Sequence, residues 1–237
     1  MNNLSIVLCT LNEGKNIASA IDKLLIKDTV KEIIIIDDDS QDETIDILNG
    51  YKNPKIYFKV RKNTKNFSSA FIDGLYLAKG DYILRFDLDM FNYIDFFIDT
   101  FLNIDHRTDC LIFSRYVENG IDKRSNYRSI PSWILNKLCQ LLLFKDIKDY
   151  TGCIIIIKKK VLKEIFPKKT NYANFIIDFI FDLKRKNKIL IEVPFTQDKI
   201  TEFNSKSGPN IIKFIINGSF YLISILRCFL IKNLKLK

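Results

Sequence analysis

Two aspartates separated by one residue, Asp87 and Asp89, have the spacing that points most directly to chemistry. They end a short apolar segment, 80–90, that is predicted to be a β-strand. In a continuing strand, residues i and i+2 point to the same side of the sheet, so the two carboxylates would repel each other unless a cation lay between them. A hard divalent ion that also binds a substrate diphosphate would meet that need. The alternative is a solvated turn after an edge strand, but an earlier acidic strand end favours the metal site.

The elements that must position these aspartates alternate between strand and helix patterns. Strands are predicted at 4–10, 32–36, 56–60 and just before Asp87, and helices from residue 16, at 44–48 and at 68–78. The second strand is apolar on both faces, which is typical of a parallel strand covered by helices. Such alternation implies right-handed crossovers. We therefore expect an α/β fold with a doubly wound, mostly parallel sheet and helices on both faces.

Acidic residues follow three of these strands. Ligands of doubly wound sheets bind at the carboxyl ends of the strands. Glu13, Asp38, Asp87 and Asp89 all lie just past a predicted strand end, so one assumption about the fold brings them to the same edge. A nucleotide site is the natural interpretation. It is not of the dinucleotide or P-loop kind, because neither G-x-G-x-x-G after the first strand nor G-x-x-x-x-G-K-[ST] anywhere occurs.

The second half has a different character. Strands are predicted at 111–114, 153–157 and 189–194, and helices at 132–144, 161–166 and 175–183. The segment 211–231 is strongly apolar and approaches the roughly 20 residues that span a bilayer. Polar residues interrupt it and lysines flank it, so we favour a helix lying at a membrane interface over a spanning helix, and a core helix comes third. This predicts a main domain at 1–210 and an apolar, basic, membrane-associated helix at 211–237.

Composition and charge exclude some classes of protein. A chain of 237 residues with 47% hydrophobic residues can bury a full core and is not disordered. Residues 1–144 carry 18 basic and 20 acidic side chains, whereas residues 145–237 carry 19 and 8, so the second part suits an anionic partner. Five scattered cysteines without C-x-x-C argue against disulfides or zinc and fit a reducing compartment. The one histidine, His106, lies in a polar stretch and is predicted to be on the surface.

Short motifs follow one another in a specific order over residues 4–210. They are SIVLCTLNE at 5–13, IIIIDDDSQD at 33–42, Gly74 with AKGD at 78–81, DLD at 87–89, SRY at 114–116, R-x-x-x-S-x-x-x-N at 128–136, DYTG at 149–152, EVP at 192–194 and SK at 205–206. Each motif alone is weak. Together they resemble the inverting GT-A glycosyltransferases of family 2, and within them the dolichyl-phosphate mannosyltransferases and their bacterial polyprenyl-phosphate relatives.

The resemblance implies a GT-A nucleotide-diphospho-sugar transferase fold with its catalytic domain at 1–210, and it assigns roles to residues. The donor's base and ribose would bind at the first two strand ends, and its diphosphate would bind beside a Mg²⁺ or Mn²⁺ ion. The donor-binding residues would be Cys9, Leu11, Glu13, Ile36, Asp38, Asp87 and Leu88, with the metal at Asp87 and Asp89. The acceptor's phosphate would bind Arg115, Arg128 and Ser132. Lys199 and Lys206 would lie on a late phosphate-binding loop, and helix 132–144 would guide the lipid at the membrane surface.

Four positions depart from the family's pattern. Cys9 and Leu11 stand where the family usually has Pro and Tyr, and Asp39 replaces a Gly. Lys199 stands where Arg is usual, and lysine lacks the two-pronged geometry that guanidinium offers to phosphate. These departures concern the identity of nucleotide and sugar more than the class of reaction.

By this resemblance we expect a metal-dependent enzyme that moves a hexose, mannose or glucose, from GDP- or UDP-hexose to polyprenyl or dolichyl phosphate at the cytoplasmic face of a membrane. A phosphate acceptor is already an anion, so orientation and charge stabilisation by Asp89, Arg115 and Arg128 would be sufficient without a general base.

Two alternatives remain open at this point. One is a family 2 enzyme acting on a glycan hydroxyl, for which Asp178 is the candidate base. The other is a non-catalytic basic binding module. Nucleic acid is not an expected partner, because the aromatic residues of the basic half follow apolar helices rather than alternating with lysines. An anionic membrane surface is expected, and a membrane-anchoring partner subunit is left open.

Overall fold

The computed structural model describes residues 3–62, 65–199 and 211–234, with side chains from residue 216 onward in the last range. The chain forms two compact units. The first unit comprises Met1–Thr108 and Ile154–Glu164, and the second comprises Asp109–Cys153 and Ile165–Lys237. The domain boundary predicted at 210/211 stays a prediction, since residues 200–210 lie outside the described part of the chain.

The elements are numbered along the chain. The strands are β1 (Leu4–Thr10), β2 (Val30–Asp37), β3 (Ile56–Val60), β4 (Tyr82–Arg85), β5 (Cys110–Ser114), β6 (Ile121–Asp122), β7 (Ile155–Lys158), β8 (Leu190–Pro194) and β9 (Thr196–Gln197). The α-helices are α1 (Gly14–Leu25), α2 (Thr44–Gly50), α3 (Phe67–Leu77), α4 (Ile94–Leu102), α5 (Asn126–Leu142), α6 (Phe175–Arg185) and α7 (Ile211–Leu234). Two 3-10 helices span Leu88–Tyr93 and Lys159–Lys163.

The sheet of the first unit has the strand order β3-β2-β1-β4-β7. The pairs β1–β2, β2–β3 and β1–β4 are parallel, whereas β7 runs antiparallel to β4. An α/β fold with a mostly parallel sheet is therefore confirmed. Because β1, β2 and β4 run in the same direction, the residues that follow them emerge at one edge of this sheet.

Aliphatic side chains explain why these strands are central. β1 and β2 are buried almost throughout, and α1 buries Ile17, Ala20, Ile21 and Leu24 on one face. Helix α3 lies very close to β1 at Gly74, where an added Cβ would lie 2.3 Å from Cγ1 of Val7. The Gly74 of the sequence motif thus allows a helix to approach the strand that leads into the site.

The second unit has two parallel strand pairs, β5–β8 and β6–β9. Helix α6 is buried along nearly its whole length, and α7 contacts both α5 and α6. The face of α7 that is turned inward carries Ser224, Ile225 and Cys228. The five cysteines of the chain are free thiols, and His106 is exposed, as predicted.

Several predicted boundaries were wrong. Strand β4 ends at Arg85, where its pairing with both β1 and β7 ends, so Asp87 and Asp89 do not extend from a continuing strand. Helix α5 begins at Asn126 rather than at residue 132, with Pro131 inside it. The helix predicted at 161–166 is the 3-10 helix Lys159–Lys163.

Segment 211–231 does form a helix, but the alternative that this helix spans a membrane is not supported. Among the described residues, no helix combines the length and the apolar composition needed to cross a bilayer.

Candidate active site

The loop after β2 is shaped by a buried aspartate. Asp37 is fully buried and accepts hydrogen bonds from Thr10 Oγ1 at 2.6 Å, from Ser40 N at 2.8 Å and from Ser40 Oγ at 2.5 Å. Between these residues, Asp39 has φ 63°, in the left-handed region that favours glycine. The glycine usual in the family at this position therefore has a conformational reason. The tied loop fixes the backbone on both sides of Asp38.

Asp38 is held by an arginine that the sequence analysis missed. Arg61 Nε donates to Asp38 Oδ1 at 2.7 Å and Arg61 Nη2 donates to the same oxygen at 2.5 Å, while the backbone N–H of Asn66 donates to Oδ2 at 2.9 Å. Arg61 Nη1 also donates to Ser69 Oγ at 2.8 Å. Burial raises the pKa of Asp38 despite this arginine. The sequence feature that could have identified Arg61 is its position as a basic residue directly after the parallel strand β3.

The two aspartates Asp87 and Asp89 differ in their exposure to solvent. The side chain of Asp87 is 51% exposed and forms an ion pair with Arg85, whereas the Oδ1 atom of Asp89 is buried. Asp89 Oδ1 has no hydrogen-bond partner among the described residues. Burial, followed by the charges of Asp87 and Glu13, raises the pKa of Asp89 to about 8. Three acids therefore share one electrostatic environment, as predicted, although they do not share a strand.

These residues fit a divalent cation only together with other ligands. The buried, unpartnered carboxylate oxygen of Asp89 and the repulsion from Asp87 and Glu13 are what a hard cation would relieve. However, within the described ranges no three His, Cys, Asp or Glu side chains are grouped so that they could hold an ion by themselves. A bound ion would need further oxygens, which a substrate diphosphate could supply.

The remaining predicted donor residues differ in accessibility. Cys9 and Leu11 are half-buried at and just after the end of β1, and burial raises the pKa of the Cys9 thiol to about 12. The side chains of Ile36 and Leu88 are buried in the core, at 0% and 4% exposure. The roles of Ile36 and Leu88 in donor binding stay predictions, and a contact with the donor would come from their backbone, because their side chains are buried in the core.

In the second unit, Arg115 lies in a closed network. Its Nε donates to Asp149 Oδ2 at 2.8 Å, its Nη2 donates to Asp149 Oδ1 and to Thr151 Oγ1 at 2.8 Å each, and its Nη1 donates to Gln197 Oε1 at 3.3 Å. Every guanidinium nitrogen thus has a protein partner. These bonds use four of the five N–H groups, and Nη1 also lies 3.7 Å from Asp122 Oδ2. Arg115 therefore has a positioning role, and its predicted contact with acceptor phosphate, for which one N–H remains, stays a prediction.

Backbone groups hold this network in place. Glu192 accepts hydrogen bonds from the backbone N–H groups of Lys148 and Asp149, at 2.7 and 2.8 Å. Asn136 of α5 donates to Thr151 Oγ1 and accepts from the backbone N–H of Tyr150. The EVP and DYTG motifs of the sequence therefore meet here as a scaffold.

Ser132 contacts Tyr116, which lines a cavity of the same unit. Its Oγ lies 3.0 Å from both Tyr116 Oη and Thr151 Oγ1. A cavity of about 310 Å³ is lined by Tyr116, Asp122, Ser129, Ile130 and Trp133. Its walls combine a polar side with an apolar side on α5. Asp122 on the polar side is already paired with Arg124, whose Nε donates to Asp122 Oδ1 at 2.8 Å.

The other predicted basic residues are less connected to this cavity. Arg128, on α5, is buried at 8% exposure and lies against the ring of Tyr127. Lys199 is exposed. Lys206 lies outside the described residues, so its predicted role stays a prediction.

Asp178, the candidate base, has a structural environment. It is 5% exposed and accepts hydrogen bonds from Ser224 Oγ at 2.9 Å, from Arg227 and from the thiol of Cys228. All three partners lie on α7, so Asp178 fastens α7 to α6. We therefore assign Asp178 a structural role in place of the predicted role of general base.

Comparison with known proteins places this geometry in a family. The model of the family "Glycosyl transferase family 2" matches residues 5–166. The dolichol-phosphate mannosyltransferase of Pyrococcus furiosus is 30% identical over 201 residues, covering 81% of this chain and 56% of the relative. The enzyme of the same name from Saccharomyces cerevisiae is 31% identical over 195 residues, covering 78% and 72%.

A third relative has a different acceptor in its name. The poly(ribitol-phosphate) beta-N-acetylglucosaminyltransferase of Staphylococcus aureus is 26% identical over 205 residues, covering 78% of this chain and 59% of the relative. The chain thus spans less than two thirds of the length of two of these three relatives.

Solved structures agree on the fold. Glucosyl-3-phosphoglycerate synthase from Mycobacterium tuberculosis, in complex with UDP, superposes with a TM-score of 0.71 at 14% identity, covering 96% of this chain and 80% of that one. The same enzyme with Mn²⁺, UDP-glucose and phosphoglyceric acid also gives a TM-score of 0.71. The family match over most of the chain, the two mannosyltransferase relatives and the shared fold lead to one conclusion: this chain belongs to glycosyl transferase family 2.

Proposed function

We propose that this family 2 glycosyltransferase moves a hexose, mannose or glucose, from GDP- or UDP-hexose to the phosphate of a polyprenyl or dolichyl phosphate, with inversion. The sequence similarity to two dolichol-phosphate mannosyltransferases, each over more than three quarters of the chain, supports this acceptor. The similarity to an enzyme that glycosylates poly(ribitol-phosphate) favours the second candidate, transfer to a glycan hydroxyl.

One observation carries the choice between these acceptors. The buried carboxylates of Asp122, Asp149 and Asp178, no more than 7% exposed, are each ion-paired with an arginine. The arginine holds the pKa of Asp122 and that of Asp149 below the ordinary value despite burial. These two carboxylates are therefore poor proton acceptors, because protonation would leave the arginine without its counter-ion. A hydroxyl acceptor needs a base to remove its proton, whereas a phosphate acceptor does not. Glu192 of the same unit has no arginine partner among the ion pairs described, but both of its oxygens accept hydrogen bonds from the backbone N–H groups of Lys148 and Asp149. These carboxylates of the second unit therefore suit a phosphate acceptor better.

The donor would bind in the first unit. Asp38, fixed by Arg61 and Asn66, is placed to accept hydrogen bonds from the nucleoside, and Asp89 and Asp87 would hold the divalent ion. When bound, that Mg²⁺ or Mn²⁺ ion would supply charge stabilisation for the departing diphosphate. In support, the structurally similar synthase was crystallised with Mn²⁺ and UDP. Arg128 and Ser132 are the proposed acceptor contacts, with Arg115 positioning Ser132 through Thr151.

An anionic membrane surface is the proposed place of the reaction. Helix α5 exposes Tyr127, Ile130, Trp133, Ile134 and Leu141, each at 50–79%. Helix α7 exposes a second apolar set, Leu222, Ile223, Leu226, Leu230 and Leu234. Exposed apolar side chains beside lysines are typical of interfacial helices. This proposal requires the two helices to lie on the cytoplasmic face of the membrane rather than to cross the membrane.

Labelled transfer tests the acceptor. The protein would be incubated with GDP-mannose, GDP-glucose or UDP-glucose, Mn²⁺, and either polyprenyl phosphate or a glycan acceptor. We expect label in an acid-labile lipid-phosphate product. Label only in hydroxyl-linked glycan would contradict the phosphate acceptor and favour the second candidate.

Vesicle sedimentation tests the location. We expect binding to vesicles rich in phosphatidylglycerol and weaker binding to phosphatidylcholine, and Trp133→Ser with Leu226→Ser should reduce both. A control change of the exposed apolar Tyr76, in the first unit, should have no effect. Equal sedimentation of the double variant and the wild type would contradict the assignment of this surface.

A further inference from the structure

A buried arginine ends the strand that leads to the aspartate pair. Arg85 is the last residue of β4 and is paired in register with Val7 of β1 and Ile155 of β7. It is only 2% exposed, at a position where the neighbouring strands carry aliphatic side chains. Burying a guanidinium is costly unless an anion compensates for it. The buried charge of Arg85 therefore has a cost that none of the sequence motifs explains.

The structure shows what compensates Arg85. Its Nη2 contacts Asp87 Oδ1, its Nη1 lies 3.5 Å from Asp87 Oδ2, and its guanidinium lies over the ring of Phe67, 4.5 Å from the centroid. The arginine is thus fixed from one side by an aromatic ring and from the other by a carboxylate that is half exposed. Its charge also acts on Asp89 and on Cys9. Arg85 therefore belongs to the same electrostatic group as the proposed metal-binding acids.

The proposed ligand of this site is itself an anion. Asp87, Asp89 and Glu13 would repel a diphosphate wherever no cation offsets them. A divalent ion is one such cation, and it must be recruited from solution. Arg85 is another, which the chain carries permanently because guanidinium stays protonated.

We propose that Arg85 is a built-in cation of the donor site: it offsets Asp87 and so allows a nucleoside diphosphate to bind with reduced dependence on divalent metal. This inference rests on the proposed function, since it takes the first unit to be the nucleotide-sugar site. As a consequence, the affinity for a nucleoside diphosphate with metal and the affinity without metal differ less than the acidic composition of the site alone would predict.

Nucleotide binding measured by calorimetry tests this inference without reference to turnover. The probes are UDP and GDP, each titrated in the presence of Mn²⁺ and in the presence of a chelator. The wild type is expected to bind one of them in chelator, within about tenfold of its affinity in Mn²⁺. Arg85→Met is expected to weaken binding in chelator by at least about tenfold, with a much smaller loss in Mn²⁺.

Two further variants sharpen the result. Asp87→Asn frees Arg85 from its counter-ion, so metal-free binding should become tighter, a change opposite in sign to that of Arg85→Met. Arg107→Met is the matched control, because Arg107 pairs with an aspartate two residues away but is 82% exposed. It removes the same charge and should leave both affinities unchanged. Melting temperatures show whether each variant is folded, and if Arg85→Met does not fold, Asp87→Asn decides.

The possible failures are distinguishable. Wild-type binding only in Mn²⁺, an equal loss for Arg85→Met under both conditions, or metal-free binding not tightened by Asp87→Asn would each overturn the role of Arg85 and leave the proposed function intact. Binding of neither nucleotide to the wild type, with or without Mn²⁺, would overturn the donor site itself.

Discussion

The acidic groups of the two units are paired in opposite ways. In the second unit, both oxygens of Asp149 accept hydrogen bonds from Arg115 or from backbone N–H groups, and every nitrogen of Arg115 is bonded. In the first unit, Asp89 has a buried oxygen with no partner among the described residues, and Asp87 remains half exposed beside Arg85.

This difference separates scaffold from ligand site. A buried polar network with all partners present makes a unique structure rigid, whereas a buried charge without a partner is costly and persists where a ligand supplies the missing contact. On this ground we propose that the Asp87–Asp89 region binds the ligand and that the Arg115–Asp149 network gives structural support. Substitutions at four positions test it, ordered by the size of the expected effect.

Asp149→Asn should give the largest effect, on stability. Removing one member of a buried ion pair costs about 3–5 kcal/mol, and both side chains here are 4% exposed or less. Urea denaturation would measure the loss in the free energy of unfolding. The control Asp146→Asn removes an exposed partner of Lys184 and should cost about 1 kcal/mol or less. Equal losses in the two variants would contradict the scaffold role.

The same pair predicts a dependence on pH. Burial alone would raise the pKa of Asp149, but Arg115 and backbone N–H groups lower it below its ordinary value. Its contribution to stability is therefore complete above the ordinary carboxyl pKa, and it is lost as the pH falls through the lowered value. In urea denaturation, the free energy of unfolding of the wild type should exceed that of Asp149→Asn at neutral pH. The difference between the two free energies should become smaller in acid.

Asp89→Asn should act on turnover instead. Even outer partners of a metal ligand are worth about 10- to 100-fold, so we expect at least about a 100-fold loss of sugar transfer. Stability should be unchanged or slightly higher, because the substitution removes a carboxylate whose Oδ1 atom is buried without a partner among the described residues. Asp95→Asn, at an exposed carboxylate paired with Lys27, is the control with normal activity. A fall in the stability of Asp89→Asn with normal turnover would contradict the binding role of Asp89 and indicate a structural one.

Arg61→Lys should weaken donor binding moderately. Lysine keeps the charge but cannot reproduce the contacts of Arg61 with Asp38, Ser69 and Asn66. Loss of one hydrogen bond to a charged group is worth about 1.5–3 kcal/mol, so KM for the nucleotide-sugar should rise by about 10-fold or more. The turnover number should change less, and a fall in turnover at constant KM would argue against a role in holding Asp38.

Substitutions of Asp39 should give the smallest effect. At φ 63°, Asp39→Gly should change the free energy of unfolding by about 0.5 kcal/mol or less, while Asp39→Ala should lower it by about 1 kcal/mol. Chemical denaturation of both variants measures this. If alanine is tolerated as well as glycine, the positive φ does not explain the family's usual glycine.

Much of this arrangement is visible in the sequence. The long apolar strands and the acids after them predict the parallel sheet and the grouping of Glu13, Asp87 and Asp89 because strand ends of one direction share an edge. The pattern could not show that β4 ends at Arg85, because that depends on where pairing with its neighbours stops. It could not show that every nitrogen of Arg115 is bonded within the protein, because its partners, Asp149, Thr151 and Gln197, lie 34 to 82 residues away.

The central claim is that Asp89 anchors a divalent ion and, through it, a nucleoside diphosphate. Calorimetric titration of UDP and GDP into the wild type and Asp89→Asn, each with Mn²⁺ and with a chelator, tests this claim most directly. The account predicts that Asp89→Asn loses most of the Mn²⁺-dependent gain in affinity and little of the binding in chelator. Identical Mn²⁺-dependent binding of UDP or GDP by the two proteins would contradict it.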